Sequence, residues 1–194
     1  STGALFDNIL TDTSEVVIGM NEVIDLSGNL SANGILEWEF PEGEWEILRL
    51  GYTTYSKGVK WSSSQGWEGF PIDVFDAEIM DEYWNMVVDP LISDAGALAG
   101  KTLNFLHTDS WELEPINWTP TLPEVFNKRR GYDLTPFIPV LVGNVVQSRE
   151  ISNRFLHDFR KTFGDLVIDN HYKIFKDNAH LNGLEIHPES GGPH

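Results

Sequence analysis

The chain has 194 residues, of which 41% are hydrophobic and 12% aromatic, enough to build a packed core. Its 13 Lys and Arg residues against 30 Asp and Glu residues give a net charge of -17. This charge disfavours binding to nucleic acids and to anionic membranes, both of which require a basic protein surface. No apolar run is long enough to cross a membrane. Without cysteine, disulfides, thiolate metal sites and thiol catalysis are excluded. Neutral sugars or calcium fit the charge, although acidity can also serve only to keep a secreted protein soluble.

Residues 1–68 have the pattern of a short β-rich, sandwich-like accessory region. Alternating apolar runs separated by Gly, Asn, Ser and Pro predict strands at residues 15–18, 23–26, 36–40 and 44–50. The last two runs flank a Pro-Glu-Gly turn, which predicts a hairpin with one buried face. Residues 56–70 have no clear period and are predicted to be a loop.

In residues 69–194, short strands alternate with helices. Strands are predicted at residues 71–75, 103–108 and 184–187. The first helix is predicted to be capped by Asp76 and to bury Ile79, Tyr83, Val87 and Leu91. A short helix begins at Pro123 and stops at Gly131, and a Pro-spaced apolar segment follows at residues 137–142. A long helix capped by Ser148 is predicted to run to about residue 180, with its buried face at Ile151, Phe155, Phe159 and Phe163.

This alternation predicts a parallel sheet in an α/β fold, with both faces of the sheet buried. A complete eight-stranded (β/α) barrel needs roughly 200 residues or more by itself. We therefore expect a partial (β/α) barrel of the TIM type over residues 69–194, truncated at the C-terminus, and a small complete α/β domain is the alternative. A partial barrel leaves a sheet edge and apolar surfaces uncovered, so self-association of the isolated chain is expected.

Chemistry-bearing residues follow the predicted strand at residues 103–108. Where this strand ends, its apolar residues are followed by His107, Asp109, Trp111 and Glu112. Active sites of parallel α/β folds collect at these carboxyl ends. Glycoside hydrolysis needs paired carboxyl groups, and aromatic rings such as Trp111 and Trp118 can cover the apolar faces of sugars. Alternatively, Asp109 caps a turn and Glu112 is a solvated loop acid.

A second group of this kind closes the strand at residues 184–187. His187 and Glu189 stand there, and Glu189 is followed by Ser-Gly-Gly-Pro. Glycines allow a ligand to approach the backbone closely. An ordinary turn with an exposed Glu is the alternative, but neighbouring strands would direct Glu112 and Glu189 into one cleft.

The sequence resembles the glycoside hydrolase family 106 α-L-rhamnosidases and their large multidomain bacterial relatives. The motifs that carry the resemblance lie at residues 45–53, 107–112 with 117–120, 128–133 and 187–193. The resemblance implies a catalytic (β/α) barrel flanked by further domains of the same polypeptide. It also implies an inverting glycosidase assisted by calcium and acting on terminal sugars of plant or bacterial polysaccharides. We expect a periplasmic, secreted or cell-surface location.

The resemblance also implies roles for individual residues. Glu112 is expected to be a catalytic carboxylate, the general base, and Glu189 the second acid, as general acid or calcium ligand. The expected substrate-binding residues are His107, Asp109, Trp111, Asn117, Trp118 and His187. Two other functions stay open at this point: a non-catalytic carbohydrate-binding module, and a metal-dependent hydrolase that uses His107, Asp109 and His187.

Overall fold

The computed structural model describes residues 16–53, 69–108 and 116–189. In chain order the strands and α-helices are β1 (Val17–Ile18), α1 (Ala77–Tyr83), α2 (Asp89–Ala95), β2 (Phe105–Thr108), α3 (Leu122–Arg130), β3 (Val145–Val146), α4 (Arg149–Leu166), α5 (Lys173–Leu181) and β4 (Glu185–Pro188). Two π-helical segments, Trp84–Val88 and Val167–Tyr172, continue α1 into α2 and α4 into α5. The described residues thus form a mixed helix and strand architecture.

The chain divides into two compact units, and each combines two separate segments. The first unit contains Ser1–Gly51 and Pro120–Thr162, and the second contains Tyr52–Thr119 and Phe163–His194. The predicted boundary between an accessory region and a barrel region, at residue 68, lies outside the described residues. That division therefore stays a prediction.

The first unit is built around an aromatic core next to a small parallel sheet. Strand β1 pairs in parallel with β3, with Val17 opposite Val145 and Ile18 opposite Val146. The buried rings of Phe126 and Phe155 lie 5.8 Å apart between centroids. Helix α3 ends as predicted at Gly131, whose φ of 82° is the left-handed conformation that glycine adopts without a steric penalty.

The hairpin predicted for residues 36–50 is not formed, because the described backbone there has no strand pairing beyond an isolated bridge between Leu30 and Leu36. Instead, Trp38 packs against Phe40 and Trp45, with ring centroids 4.7 and 5.3 Å apart. A lone two-stranded hairpin is marginal in water unless its apolar face packs on another layer. Phe40 and several of its apolar neighbours remain exposed, so the predicted sandwich-like region lacks that layer within the described residues.

The second unit packs helices against one face of a parallel strand pair. Strands β2 and β4 run in parallel, which confirms the orientation predicted from the alternation of strands and helices. Leu106 faces Ile186 in this pair, and both pack against a buried cluster of Met80, Trp84, Val88, Phe175, Ala179 and Leu184. The residues of the opposite face, Phe105 and His107 on β2 and His187 on β4, are exposed.

Two predictions in the second unit need correction. Residues 71–75 form no strand: Asp73 accepts a hydrogen bond from the backbone N–H of Phe75, and this closes a turn before α1. The helical face predicted to be buried at Ile79, Tyr83, Val87 and Leu91 is displaced by one residue. The buried residues are Met80, Trp84 and Val88, which have the same spacing and are equally apolar, so periodicity alone does not distinguish the two faces.

Candidate functional site

The parallel register of β2 and β4 brings two predicted site residues together. His107 lies directly opposite His187, and Thr108 lies opposite Pro188. Beyond the last strand pair, the backbone N–H of Glu189 donates a hydrogen bond of 2.8 Å to the carbonyl oxygen of Thr108. The carboxyl ends of the two strands therefore adjoin, and Glu189 is held at this end by the backbone.

The side chain of His107 is oriented by the neighbouring strand. Its Nδ1 atom lies 2.7 Å from the carbonyl oxygen of His187 and 3.2 Å from the Nδ1 atom of the same residue. A carbonyl oxygen only accepts, so Nδ1 of His107 carries a proton. Because Nδ1 of His107 is the donor, Nδ1 of His187 can take part in this contact only as an acceptor. A neutral His187 then carries its own proton on Nε2. The two rings stack, with centroids 5.3 Å apart.

The other ring nitrogen of His107 faces Glu189. The Nε2 atom of His107 and the Oε2 atom of Glu189 are 3.9 Å apart, and the two side chains are 48% and 57% exposed. This distance is too long for a direct hydrogen bond. An exposed pair of this kind contributes only about 0–1 kcal/mol to stability, so stability does not explain the arrangement. It does place a carboxylate and two imidazoles together, which is a set suited to proton transfer and to hydrogen bonding with hydroxyl groups.

Trp118 takes part in a different set of contacts. Its ring stacks on Tyr52, with centroids 6.0 Å apart and an angle of 23° between the planes. The next residue, Thr119, is buried, and its hydroxyl donates a hydrogen bond of 2.8 Å to Asp73. The adjacent Asn117 is exposed. Sequence patterns give no signal for the pairing of Tyr52 with Trp118 or of Asp73 with Thr119, since each pair is far apart in the chain.

The remaining predicted site residues, Asp109, Trp111 and Glu112, lie outside the described residues. Among the residues that are described, no group of three or more His, Cys, Asp or Glu side chains has a geometry able to hold a metal ion. The calcium site implied by the resemblance therefore stays a prediction. Among the described residues, no helix is long and apolar enough to span a membrane.

Comparisons with known proteins identify the family of the chain. The sequence model of glycoside hydrolase family 106, described as alpha-L-rhamnosidase, matches residues 5–194. A protein of Formosa agariphila named "Putative beta-glucuronidase" is 40% identical over 192 residues, which are 97% of this chain and 16% of that protein. The structure of a rhamnosidase from Novosphingobium sp. PP1Y matches with a TM-score of 0.76 and 33% identity, over 94% of this chain and 18% of that one. The chain thus spans less than a fifth of either relative, and it belongs to glycoside hydrolase family 106.

Proposed function

We propose that the full-length protein is an inverting glycoside hydrolase of the α-L-rhamnosidase type, acting on terminal sugars of plant or bacterial polysaccharides. The observation that carries this proposal is the juxtaposition of His107, His187 and Glu189 at the adjoining carboxyl ends of β2 and β4, in a chain of a glycosidase family. Both relatives carry the names of glycosidases, a rhamnosidase and a "Putative beta-glucuronidase", which favours an enzyme over a carbohydrate-binding module.

A (β/α) barrel is the architecture that we propose for the region containing these strands. Parallel strands are normally covered on both faces, but the described helices cover only the face of Leu106 and Ile186. In a barrel, helices pack on the outer face and the side chains of the inner face fill the interior. The exposed residues Phe105, His107 and His187 are then the inner layer, which further strands of the same polypeptide would enclose. Active-site residues of such barrels lie at the carboxyl ends of the strands, where His107 and Glu189 stand.

Glu112 and Glu189 are the proposed catalytic pair. An inverting enzyme keeps its two carboxyl groups about 6.5–9.5 Å apart so that a water molecule fits beside the sugar. Glu112 would remove a proton from that water as it attacks the anomeric carbon, and Glu189 would protonate the departing glycosidic oxygen. His107, whose Nε2 lies 3.9 Å from Glu189, would contact the sugar at this end of the cleft.

The sugar would be held by the other residues predicted from the resemblance. In its neutral form His187 carries its proton on Nε2, where it can donate a hydrogen bond to a hydroxyl group. Asp109, Trp111, Asn117 and Trp118 complete the proposed set.

Calcium binding stays part of the proposal, with Glu189 as one possible ligand. Calcium takes six to eight oxygen ligands, and the described strand ends offer one carboxylate beside two imidazoles, a set that does not suit this ion by itself. A calcium site would therefore need further oxygen ligands besides Glu189. None of the steps above depends on the ion.

A periplasmic or secreted location is likewise proposed, from the family alone.

Incubation of the full-length protein with aryl α-L-rhamnosides, followed by ¹H NMR of the first sugar released, tests this function. We expect the β-anomer of rhamnose to form first, because inversion at the anomeric carbon converts an α-glycoside into a β-sugar. Release of the α-anomer would contradict the inverting mechanism. Binding of rhamnosides without turnover would favour the carbohydrate-binding module.

A further inference from the structure

Tyr52 presents an aromatic surface that the proposed catalytic residues do not use. Its side chain is 64% exposed although one face of its ring lies against Trp118 at a centroid distance of 6.0 Å. The nearly parallel planes, inclined by 23°, leave the opposite face of the Tyr52 ring toward solvent. An exposed, broad and flat ring with a polar tip is the kind of surface that the C–H face of a sugar contacts.

The support under this ring is anchored by hydrogen bonds of the neighbouring residue. The indole nitrogen of Trp118 is buried, and none of the described residues accepts a hydrogen bond from it. Trp118 therefore offers ring surface rather than its N–H group to its surroundings. Its neighbour Thr119 is fully buried and is bound to Asp73, whose other carboxylate oxygen accepts the backbone N–H of Phe75. The carbonyl oxygen of Phe75 in turn accepts a hydrogen bond of 2.6 Å from Asn170. Trp118 is thus connected through Thr119 to the turn before α1, and this turn is connected through Asn170 to the π-helical segment Val167–Tyr172.

From these contacts we infer that Tyr52, backed by Trp118, is a stacking platform for a neutral sugar residue of the glycan. This inference rests on the proposed function and extends it, because it adds a subsite for a sugar other than the one whose bond is broken. Preorganisation favours the platform: a ring already stacked on a half-buried neighbour loses little conformational freedom on binding. The net charge of -17 favours a neutral sugar over an anionic one.

Kinetics of the full-length enzyme on two substrates test the platform. The substrates are a neutral oligosaccharide with a terminal rhamnose and an aryl rhamnoside, which carries only one sugar. For Tyr52→Ala we expect KM for the oligosaccharide to rise about tenfold or more, with kcat and the turnover of the aryl rhamnoside unchanged. Tyr52→Phe keeps the ring and should retain nearly normal KM. Phe70→Ala is the matched control, because Phe70 is 67% exposed but has no ring contact among the described residues.

Three results would overturn the inference: an unchanged KM in Tyr52→Ala, an equal rise in Phe70→Ala, or an equal loss on both substrates. If the wild-type protein hydrolyses no glycoside, the proposed function fails, and titration calorimetry with the same oligosaccharide then decides the platform separately. Binding by the wild type and by Tyr52→Phe but not by Tyr52→Ala would support the platform even then. Absence of oligosaccharide binding by the wild type would reject it. Circular dichroism of each variant excludes misfolding as the cause of a loss.

Discussion

His107 and His187 lie opposite each other across the parallel β2–β4 pair, and Nδ1 of His107 contacts the carbonyl oxygen of His187 at 2.7 Å. A backbone acceptor on one strand thereby fixes the ring orientation of a side chain on the other. The Nε2 edge of His107 is left facing Glu189 at 3.9 Å. Because both strands reach this edge in register, a histidine pair and a carboxylate lie together at one strand end.

Replacement of Glu189 separates its two proposed roles. If Glu189 is the general acid, Glu189→Gln should lower turnover by about 10²–10⁴-fold, since an amide cannot donate the proton to the leaving oxygen. If Glu189 instead binds calcium, raising the calcium concentration should recover part of the loss. Assays of aryl rhamnosides across pH and calcium concentration distinguish these outcomes. Glu185→Gln, at the other end of the same strand, is the control and should remain nearly fully active; normal activity in Glu189→Gln would exclude both roles.

The isolated chain is expected to self-associate. Phe105 is 59% exposed on the uncovered face of the β2–β4 pair, and sheet edges and apolar faces of this kind favour association. Sedimentation velocity at increasing protein concentration should show species larger than the monomer. Phe105→Lys should shift the distribution toward the monomer, because a charged side chain disfavours burial of that face. A single monomeric species of the unmodified chain at all concentrations would contradict the expected uncovered barrel surface.

The cap of α1 should contribute measurably to local stability. The carboxylate of Asp76 accepts hydrogen bonds from the backbone N–H groups of Glu78 at 2.9 Å and Ile79 at 3.4 Å. Asp76→Ala should destabilise the helix by about 1 kcal/mol, which corresponds to about fivefold faster hydrogen exchange of its amides. Exchange measured by mass spectrometry on peptides covering residues 77–83 checks this value. Glu82→Ala, at an exposed position of the same helix, should leave the exchange rates nearly unchanged.

The stability of the second unit should depend on the protonation of His171. Burial lowers the pKa of His171 below its ordinary value of 6.5, since the charged imidazolium loses its hydration. Below pH 6.5 the unfolded state therefore binds a proton that the folded state does not, so this residue makes stability fall as the pH decreases. His171→Gln should weaken this dependence, and thermal unfolding at a series of pH values from 7.5 down to 5 measures it. An unchanged pH dependence in this variant, matching that of the exposed control His157→Gln, would contradict the assignment.

Local signals in the sequence predicted much of the fold correctly. Asp76 caps its helix, Gly131 ends α3, and Ser148 begins α4 by accepting a hydrogen bond from the backbone N–H of Ile151. Each of these depends on a few neighbouring residues, which the sequence contains. The pairing of β2 with β4 followed from the alternation of strands and helices, because a helical connection normally returns a strand in parallel.

Features that depend on distant partners were not predicted, or were predicted wrongly. Alternation at residues 36–40 predicted a strand, but a strand needs a neighbour and a layer to cover its apolar face. The buried face of α1 and of the π-helical segment after it, at Met80 and Trp84, is chosen by what packs against it from α5. The stacking of Tyr52 on Trp118 is also a tertiary contact. Glu112 lies outside the described residues, so its role stays a prediction.

The most direct test of the central claim, that the ends of these two strands carry the catalytic carboxylates, is the turnover of Glu112→Gln in the full-length protein. The general base that activates water contributes typically about 10²–10⁴-fold, and an amide cannot replace it. We therefore expect kcat on an aryl rhamnoside to fall by that factor with folding intact. The matched variant Glu114→Gln, which removes a neighbouring carboxylate, should remain nearly fully active. Near-normal turnover in Glu112→Gln would contradict the assignment of this strand end as the catalytic site.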